Sequence, residues 1–488
     1  MALKQQVFSG SLWSFAGTAG QQFVNFILFA LLARLLTPTD FGVMALAAVV
    51  IDLLALIGCL GQIQALVQRE EMDDRIESTS FWMLQGFGLV MTAIVFFSAP
   101  YVAAVFDVPS LSGILRLLAP VCLFQTLSAV HEARLRRSFG FKWLAARMVI
   151  ASMIGGVASI VLAFQGFGVY AMVGQRLIIA VILCAMVWWS SGWRPKFLWD
   201  TKEALQLARF GSDLSIVAFL QTVNVRIIDV MVGYFFGPQV LGQLRIAWKL
   251  FDFIAAVAIQ PVVNVALPAL SRLQASRDAM GSATVRLMSV SGMVLYPIFF
   301  GIAITAQDLV PPLFGDQWGQ AILFIEILAP IAVAAAINYF LGTTLTAAGR
   351  TRWILWQATG QVALALVISI AAVPFGVVAV LVGNVIRATI IAAINVWLLD
   401  LAAGVRPKAL MKALLPPLAG ATVMVLILWG MRPLFLEVGD PILRAIATAS
   451  IGAVLYGAII WFIFPAWRRT MKGELLPLLT NGRAKGGA

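Results

Sequence analysis

Apolar residues in this chain neither alternate nor recur on one face; they come in long runs. Fourteen such runs have centres near residues 24, 53, 92, 121, 154, 179, 222, 253, 294, 332, 363, 388, 421 and 452. Each is about 18–20 residues long, enough for a helix to cross the hydrocarbon of a bilayer. The pattern therefore predicts about fourteen transmembrane helices and an all-α polytopic membrane protein. The first run contains Gln21, Gln22 and Asn25 and is preceded only by Lys4. It is too long and too polar for a secretory leader and is assigned as the first span. The longest connection covers about residues 191–208, so no soluble domain is expected.

Composition agrees with that pattern. The 488 residues are 61% hydrophobic and 11% charged, with a mean hydropathy of +0.95, which excludes disorder and a single water-exposed core. A net charge of +12 would ordinarily suggest nucleic acid. Its placement says otherwise. Lys and Arg gather in alternate connections: "HEARLRRSFGFK" (131–142), "RPKFLWDTK" (194–202), "SRLQASR" (271–277), "GRTR" (349–352), "RPKALMK" (406–412) and "WRRTMK" (467–472). The intervening "TPTDFG", "FDVPS", "QGFG", "FGPQ", "FGDQWG" and "PFG" have none. By the positive-inside rule the even-numbered connections and both termini are cytoplasmic, and no nucleic-acid partner is expected. Cys59, Cys122 and Cys184 fall in apolar runs without CxxC spacing, so they are read as packing residues and no metal site is expected. His131, the only histidine, lies in a basic connection and is expected to be solvated. No GxxxxGK[ST] occurs, so the chain does not itself hydrolyse nucleotide, and no cofactor is expected.

The chain repeats itself at an offset of about 200 residues. "LLTPTDFGVMALAAVVIDLLALI" (35–57) lies over "FFGPQVLGQLRIAWKLFDFIAAV" (235–257), matching Gly42 to Gly242 and Asp52 to Asp252. In the same register Gln21 matches Gln221, and later Trp143 matches Trp353. Six helices per copy put both copies in one orientation, related by an axis along the membrane normal. The expected organisation is an N-terminal lobe at 1–200, a second lobe at 201–405, and two further helices with a cytoplasmic tail at 406–488.

Charges inside the apolar runs supply the candidate chemistry. A charged side chain at the bilayer centre costs about 2.5–3.5 kcal/mol on insertion scales, so such groups face protein or water. In "QLRIAWKLFDF" (243–253), Arg245, Lys249 and Asp252 share one helical face. Counted from the "FGPQ" turn at about 1.5 Å per residue, Arg226 and Lys249 lie at one depth, about 16 Å in, and Asp229 and Arg245 at a shallower one. Asp229 and Arg245 can neutralise each other. Arg226 and Lys249 cannot, and Asp252 offsets only one of them. With Arg176 and Arg387 these cations predict a wet, positively charged cavity suited to phosphate or pyrophosphate. Gln21, Asn25, Gln221, Asn224 and Asn384 are candidate polar lining for sugar hydroxyls, or alternatively interhelical hydrogen bonds. Asp52, Asp252, Asp229 and Glu326 are the candidate charge partners.

The patches "LLARLLTPTDFGVMALAAVV", "ALVQREEM", "LPALSRLQ" and "PPLFGDQW" resemble polysaccharide-export flippases of the Wzx type, nearest the colanic-acid subgroup. That family sits in the superfamily that also holds MATE drug exporters and the lipid II flippase. The resemblance implies two six-helix lobes in a V and alternating access. It also implies transfer of an undecaprenyl-pyrophosphate-linked oligosaccharide from the inner to the outer leaflet of a bacterial inner membrane. A functional monomer beside a cognate polymerase and chain-length or export proteins is the implied setting. A MATE-like exporter of cations is the alternative, and would prefer an acidic cavity. A membrane polymerase or ligase comes third, disfavoured by short outward connections without a carboxylate-rich loop. The expectation is a transporter, not an enzyme.

Overall fold

The computed structural model describes residues 20–69, 73–138, 140–436 and 439–464, and among them the backbone is helical with no strand. Helix α1 (Gly20–Leu35) is followed by α2 (Pro38–Gln68). Thr37 makes that start sharp. Its hydroxyl accepts from the Asp40 N–H at 3.2 Å, and the Asp40 carboxylate accepts from the Thr37 N–H at 3.0 Å. Pro38 adds a preset φ where no amide donor is needed. The chain continues through α3 (Asp74–Val105), α4 (Pro109–Leu118), α5 (Pro120–Arg137), α6 (Phe141–Phe164) and α7 (Val169–Ser191). Next comes α8 (Thr201–Ile254), capped by Asp200. That carboxyl is held below the ordinary carboxylate range, chiefly by the Glu203 backbone N–H. Gly237 interrupts α8 with φ 82 and ψ 171, a conformation closed to side-chain-bearing residues, so the helix turns a corner before Pro238.

A π-helical turn at Ala255–Ile259 leads into α9 (Gln260–Ser271). Pro261 has no N–H for the preceding turn, and the wider turn absorbs the lost bond. Then follow α10 (Arg277–Phe314), α11 (Gly319–Leu328), α12 (Ile331–Ala347), α13 (Thr351–Ala372), α14 (Val377–Ala403), α15 (Pro407–Leu436) and α16 (Pro441–Ile463). Eleven described helices are long and apolar enough to cross a bilayer, or twelve if the pair bent by 67° at Ala329–Pro330 is one span. The fourteen runs of the sequence differ from this count for two reasons. The corner at Gly237 lies inside Ala218–Ser271, which is counted once although it has an arm on each side, and the described part of α1 is short.

The chain divides into two compact units, Met1–Val257 with Ile354–Asn384, and Ala258–Trp353 with Val385–Ala488. In the first, α2 meets the second arm of α8 at glycines that exchange contacts. A Cβ on Gly42 would fall 1.7 Å from the Pro238 carbonyl oxygen, and one on Gly242 would fall 1.8 Å from that of Pro38. Lipid offers no hydrophobic drive for helix association, so close backbone approach through small residues takes its place. The two pairs mirror each other, and they are the same residues that the internal repeat aligns. A core of Leu66, Phe81, Leu84, Val130 and Trp193 closes the end of this unit where the basic connections lie.

His131 belongs to that core, which corrects the sequence expectation of a solvated residue. Helix α5 runs on to Arg137, so His131 is helical and fully buried. Its Nδ1 lies 2.6 Å from the Ser191 hydroxyl, and its ring meets Phe81, Trp188 and Trp193. Cys122 and Cys184 are buried, whereas the side chain of Cys59 and the 467–472 basic tail lie outside the described residues. In the second unit α10 is the hub, packed on α15 and α16 and burying Phe299, Phe314, Trp318 and Phe324. The Tyr456 hydroxyl donates to the Met293 carbonyl at 3.1 Å, and Arg444 pairs with Asp308 at 3.1 Å.

Candidate functional site

Helix geometry sets the depth of the charges in the first unit. Asp52 stands fourteen residues beyond Pro38, about 21 Å along α2, too deep to reach water past the helix end. It is instead shared by two guanidinium groups. Arg176 of α7 donates to Oδ1, and Arg226 of α8 donates to Oδ2 at 2.7 Å. Arg226 also donates to Asp229 Oδ2 at 3.3 Å, and Arg245 donates to the same oxygen at 3.2 Å. Asp229 and Arg245 each lie eight residues from Gly237, so the corner in α8 brings them level. The Asp229 carboxylate is the most deeply buried of the group, at 3% exposed.

The result is a line of alternating charge: Arg176, Asp52, Arg226, Asp229, Arg245. Three guanidinium groups against two carboxylates leave one positive charge in excess. The pairing of Asp229 with Arg245 is as anticipated. That of Arg226 differs: the depth count offered it at most a share of Asp252, and it has two other carboxylates, Asp229 and Asp52, the latter from a helix 174 residues away in sequence. Lys249 takes a different solution. Its Nζ lies 5.3 Å from the centre of the Phe29 ring, whose π face replaces a carboxylate. Asp252 is exposed on the same helix, and neighbouring Phe253 is packed by Phe26 and Phe23.

Beside the charge line is a cavity of about 800 Å³ wholly within the first unit. Asp52, Arg176 and Arg226 stand on its wall with Arg147 and Glu132, and Gln125, Ser128, Gln221 and Thr222 add neutral polar groups. The remainder is aliphatic and aromatic. Arg245 and Lys249 are not among its lining residues, so the predicted cationic set is split. Arg147 and Glu132 escaped the sequence reading. The signal was present: Arg147 lies six residues inside the apolar helix that begins at Phe141, the same depth argument that singled out Arg226.

Several polar candidates hold neighbouring helices. Gln21 donates to the Ser152 hydroxyl at 3.4 Å, and Asn224 to the Gln361 side-chain oxygen at 2.7 Å. Asn25 is half-buried on α1, and Asn384 is buried on α14. Arg387 and Glu326 belong to the second unit. Glu326 opens onto a separate cavity of about 470 Å³ together with Gln307, Trp429 and Arg432. No group of three or more His, Cys, Asp or Glu suited to a metal occurs among the described residues.

The sequence profile of a family described as "Polysaccharide biosynthesis protein" matches residues 31–323. The chain belongs to that family. It is 25% identical to the succinoglycan biosynthesis transport protein ExoT of Rhizobium meliloti (strain 1021) over 65% of this chain and 64% of that relative, just under two thirds of its length. It is 21% identical to the lipopolysaccharide biosynthesis protein WzxC of Escherichia coli (strain K12) over 72% of each. Among solved structures, the lipid II flippase MurJ in an inward closed conformation superposes with a TM-score of 0.76. That match covers 95% of this chain and all of MurJ at 14% identity, and it establishes the fold. The chain is thus a multi-pass membrane protein with a MurJ-like fold.

Proposed function

We propose that this member of the polysaccharide biosynthesis protein family is a flippase for an oligosaccharide carried on undecaprenyl pyrophosphate. The observation that carries the reading is Asp52 on the cavity wall, its two oxygens each held by a different arginine. Two guanidinium groups converging on one compact, two-oxygen anion fit a phosphate equally well, and guanidinium takes phosphate bidentately. The pyrophosphate displaces Asp52 from one or both arginines as it crosses, while the prenyl tail stays in lipid. The excess positive charge of the line favours an anionic cargo and opposes the MATE-like alternative, whose cationic substrates it would repel.

In this proposal the protein sits in a bacterial inner membrane with fourteen spans, both termini and the basic connections facing the cytoplasm. Residues 1–200 and 201–405 act as the alternating lobes, and a polymerase takes up the delivered repeat unit outside. The protein works by moving its substrate, not by altering it. The test is export of polymer from cells carrying Arg176→Ala or Arg226→Ala at membrane levels equal to wild type. A charge-assisted hydrogen bond is worth about 1.5–3 kcal/mol, so each variant should lose roughly ten- to a hundredfold in binding. Lipid-linked repeat units should accumulate on the cytoplasmic leaflet. Undiminished export by the double variant would refute the proposal.

A further inference from the structure

Arg147 is the most enclosed cation on the cavity wall, with 9% of its side chain exposed. It has one carboxylate partner, Glu132, reached through Nη2 at 2.5 Å. Its Nε–H is buried and has no hydrogen-bond partner among the described residues. A buried guanidinium donor left unmatched is costly, and its place on a cavity wall points to a ligand that completes it. Glu132 is built to release it. One oxygen of that carboxylate faces Arg147, while the other accepts from Arg136 Nε and Nη2 at 3.0 and 2.6 Å. If Arg147 lets go, Glu132 is still paired.

This pair is separate from the Asp52 site. Arg147 lies six residues from the Phe141 end of α6, and Arg176 lies fifteen residues from the adjoining Ser191 end of α7. At about 1.5 Å per residue the two stand some 13 Å apart along these neighbouring helices. Gln125, Ser128, Gln221 and Thr222 occupy the same wall, and they are neutral groups of the kind that bond sugar hydroxyls.

We infer that Arg147, with Glu132 as its resident counter-ion, is a second anion site in the cavity, nearer the basic end than the Asp52 site. The inference rests on the flippase reading above. Its ligand is an oxyanion of the cargo: either the pyrophosphate at an earlier point in its passage or a carboxylate on the sugar when the pyrophosphate is already at Arg176 and Arg226. The exchange is one of partners alone, with Arg147 passing from Glu132 to the incoming oxyanion and Nε–H gaining an acceptor.

The experiment uses the purified full chain in lipid nanodiscs and two probes. One is a short-chain prenyl pyrophosphate bearing a neutral N-acetylhexosamine; the other bears a hexuronic acid in its place. Arg147→Gln should weaken binding about tenfold or more. Weakening confined to the hexuronic acid probe makes the sugar carboxylate the ligand, and equal weakening of both makes it the phosphate. Glu132→Gln removes the competitor and should tighten binding of the same probe by about tenfold, a sign that a structural role cannot produce. Should Arg147→Gln not fold, Glu132→Gln and Arg147→Lys, which keeps the charge, decide alone. Unchanged affinity for both probes in Glu132→Gln and in the Arg147 variant that folds would overturn the inference. Arg226→Ala is measured alongside: if only that variant leaves both affinities unchanged, the pyrophosphate reading at Asp52 fails and the Arg147 site stands.

Discussion

Replacing Gly42 by alanine tests the packing of the first unit most directly. The new methyl carbon would lie 1.7 Å from the Pro238 carbonyl oxygen and 2.4 Å from its carbon. Ordinary contact needs about twice the first distance, so α2 and the second arm of α8 must separate by one to two ångströms. Backbone atoms cannot swing aside as a side-chain tip can. Overpacking typically costs about 1–3 kcal/mol and sometimes more, and this clash belongs at the upper end. Alanine in place of glycine within a helix returns about 0.5–1 kcal/mol, leaving a net loss of about 2 kcal/mol. At about 2–4 °C per kcal/mol for larger domains, the apparent melting temperature in detergent should fall by roughly 4–8 °C. Gly242→Ala should fall by a similar amount, because its methyl would strike the Pro38 carbonyl at 1.8 Å. The double variant should lose less than the sum, since one separation relieves both clashes. Gly86→Ala, with nothing within 4 Å of its added carbon, is the control and should melt no lower than wild type. Gly42→Ala melting within a degree of Gly86→Ala would refute the reasoning.

Three further outcomes are expected. Asp229→Ala takes from Arg245 the carboxylate it donates to and leaves Arg226 with Asp52 alone, and breaking a buried pair from one end costs about 3–5 kcal/mol, so folded yield and thermal stability should drop sharply; wild-type stability would mean that water, not Asp229, neutralises Arg245. Lys249→Met and Phe29→Leu should show a coupling of about 0.5–2 kcal/mol in a double-mutant cycle of thermal stability, and strict additivity would remove the cation–π contact. Reporter fusions at Ser138 should read cytoplasmic and those at Pro109 and Gly315 periplasmic, the reverse pattern being incompatible with the charge bias of the connections.

Much of this architecture was open to reading because membrane helices announce themselves by composition. Length and hydropathy located the long helices, though not the short α4, α9 and α11, and the Gly42–Gly242 match pointed to residues that meet through each other's neighbours. What remained hidden were relations between helices. Arg226 was read as deep, but Asp52, its partner, is 174 residues away, and depth alone does not say which helices adjoin. Lys249 and Arg387 share the charge and approximate depth of Arg226, and neither stands on the cavity wall. His131 was misplaced because a basic stretch was read as a loop, whereas positive charge at a helix C-terminus stabilises the helix and lets it continue to Arg137. Arg147 was overlooked beside the more conspicuous charges of 226–252.

The sharing of Asp52 also sets a timetable for making the protein. Asp52 enters the membrane with α2, but Arg176 and Arg226 are 124 and 174 residues further along the chain. At about 5–20 residues per second those partners leave the ribosome roughly 6–25 and 9–35 s later. Throughout that interval a carboxylate deep in a span has neither guanidinium to bond, at a cost of about 2.5–3.5 kcal/mol. A nascent chain halted after α6 therefore holds α2 poorly. Chains truncated before Arg176 should be extracted and degraded faster than chains truncated just after Arg226, and Asp52→Asn should narrow that difference. The residue that ties α7 and α8 to α2 is thus also the one that makes early intermediates depend on insertion factors able to shield a lone charge.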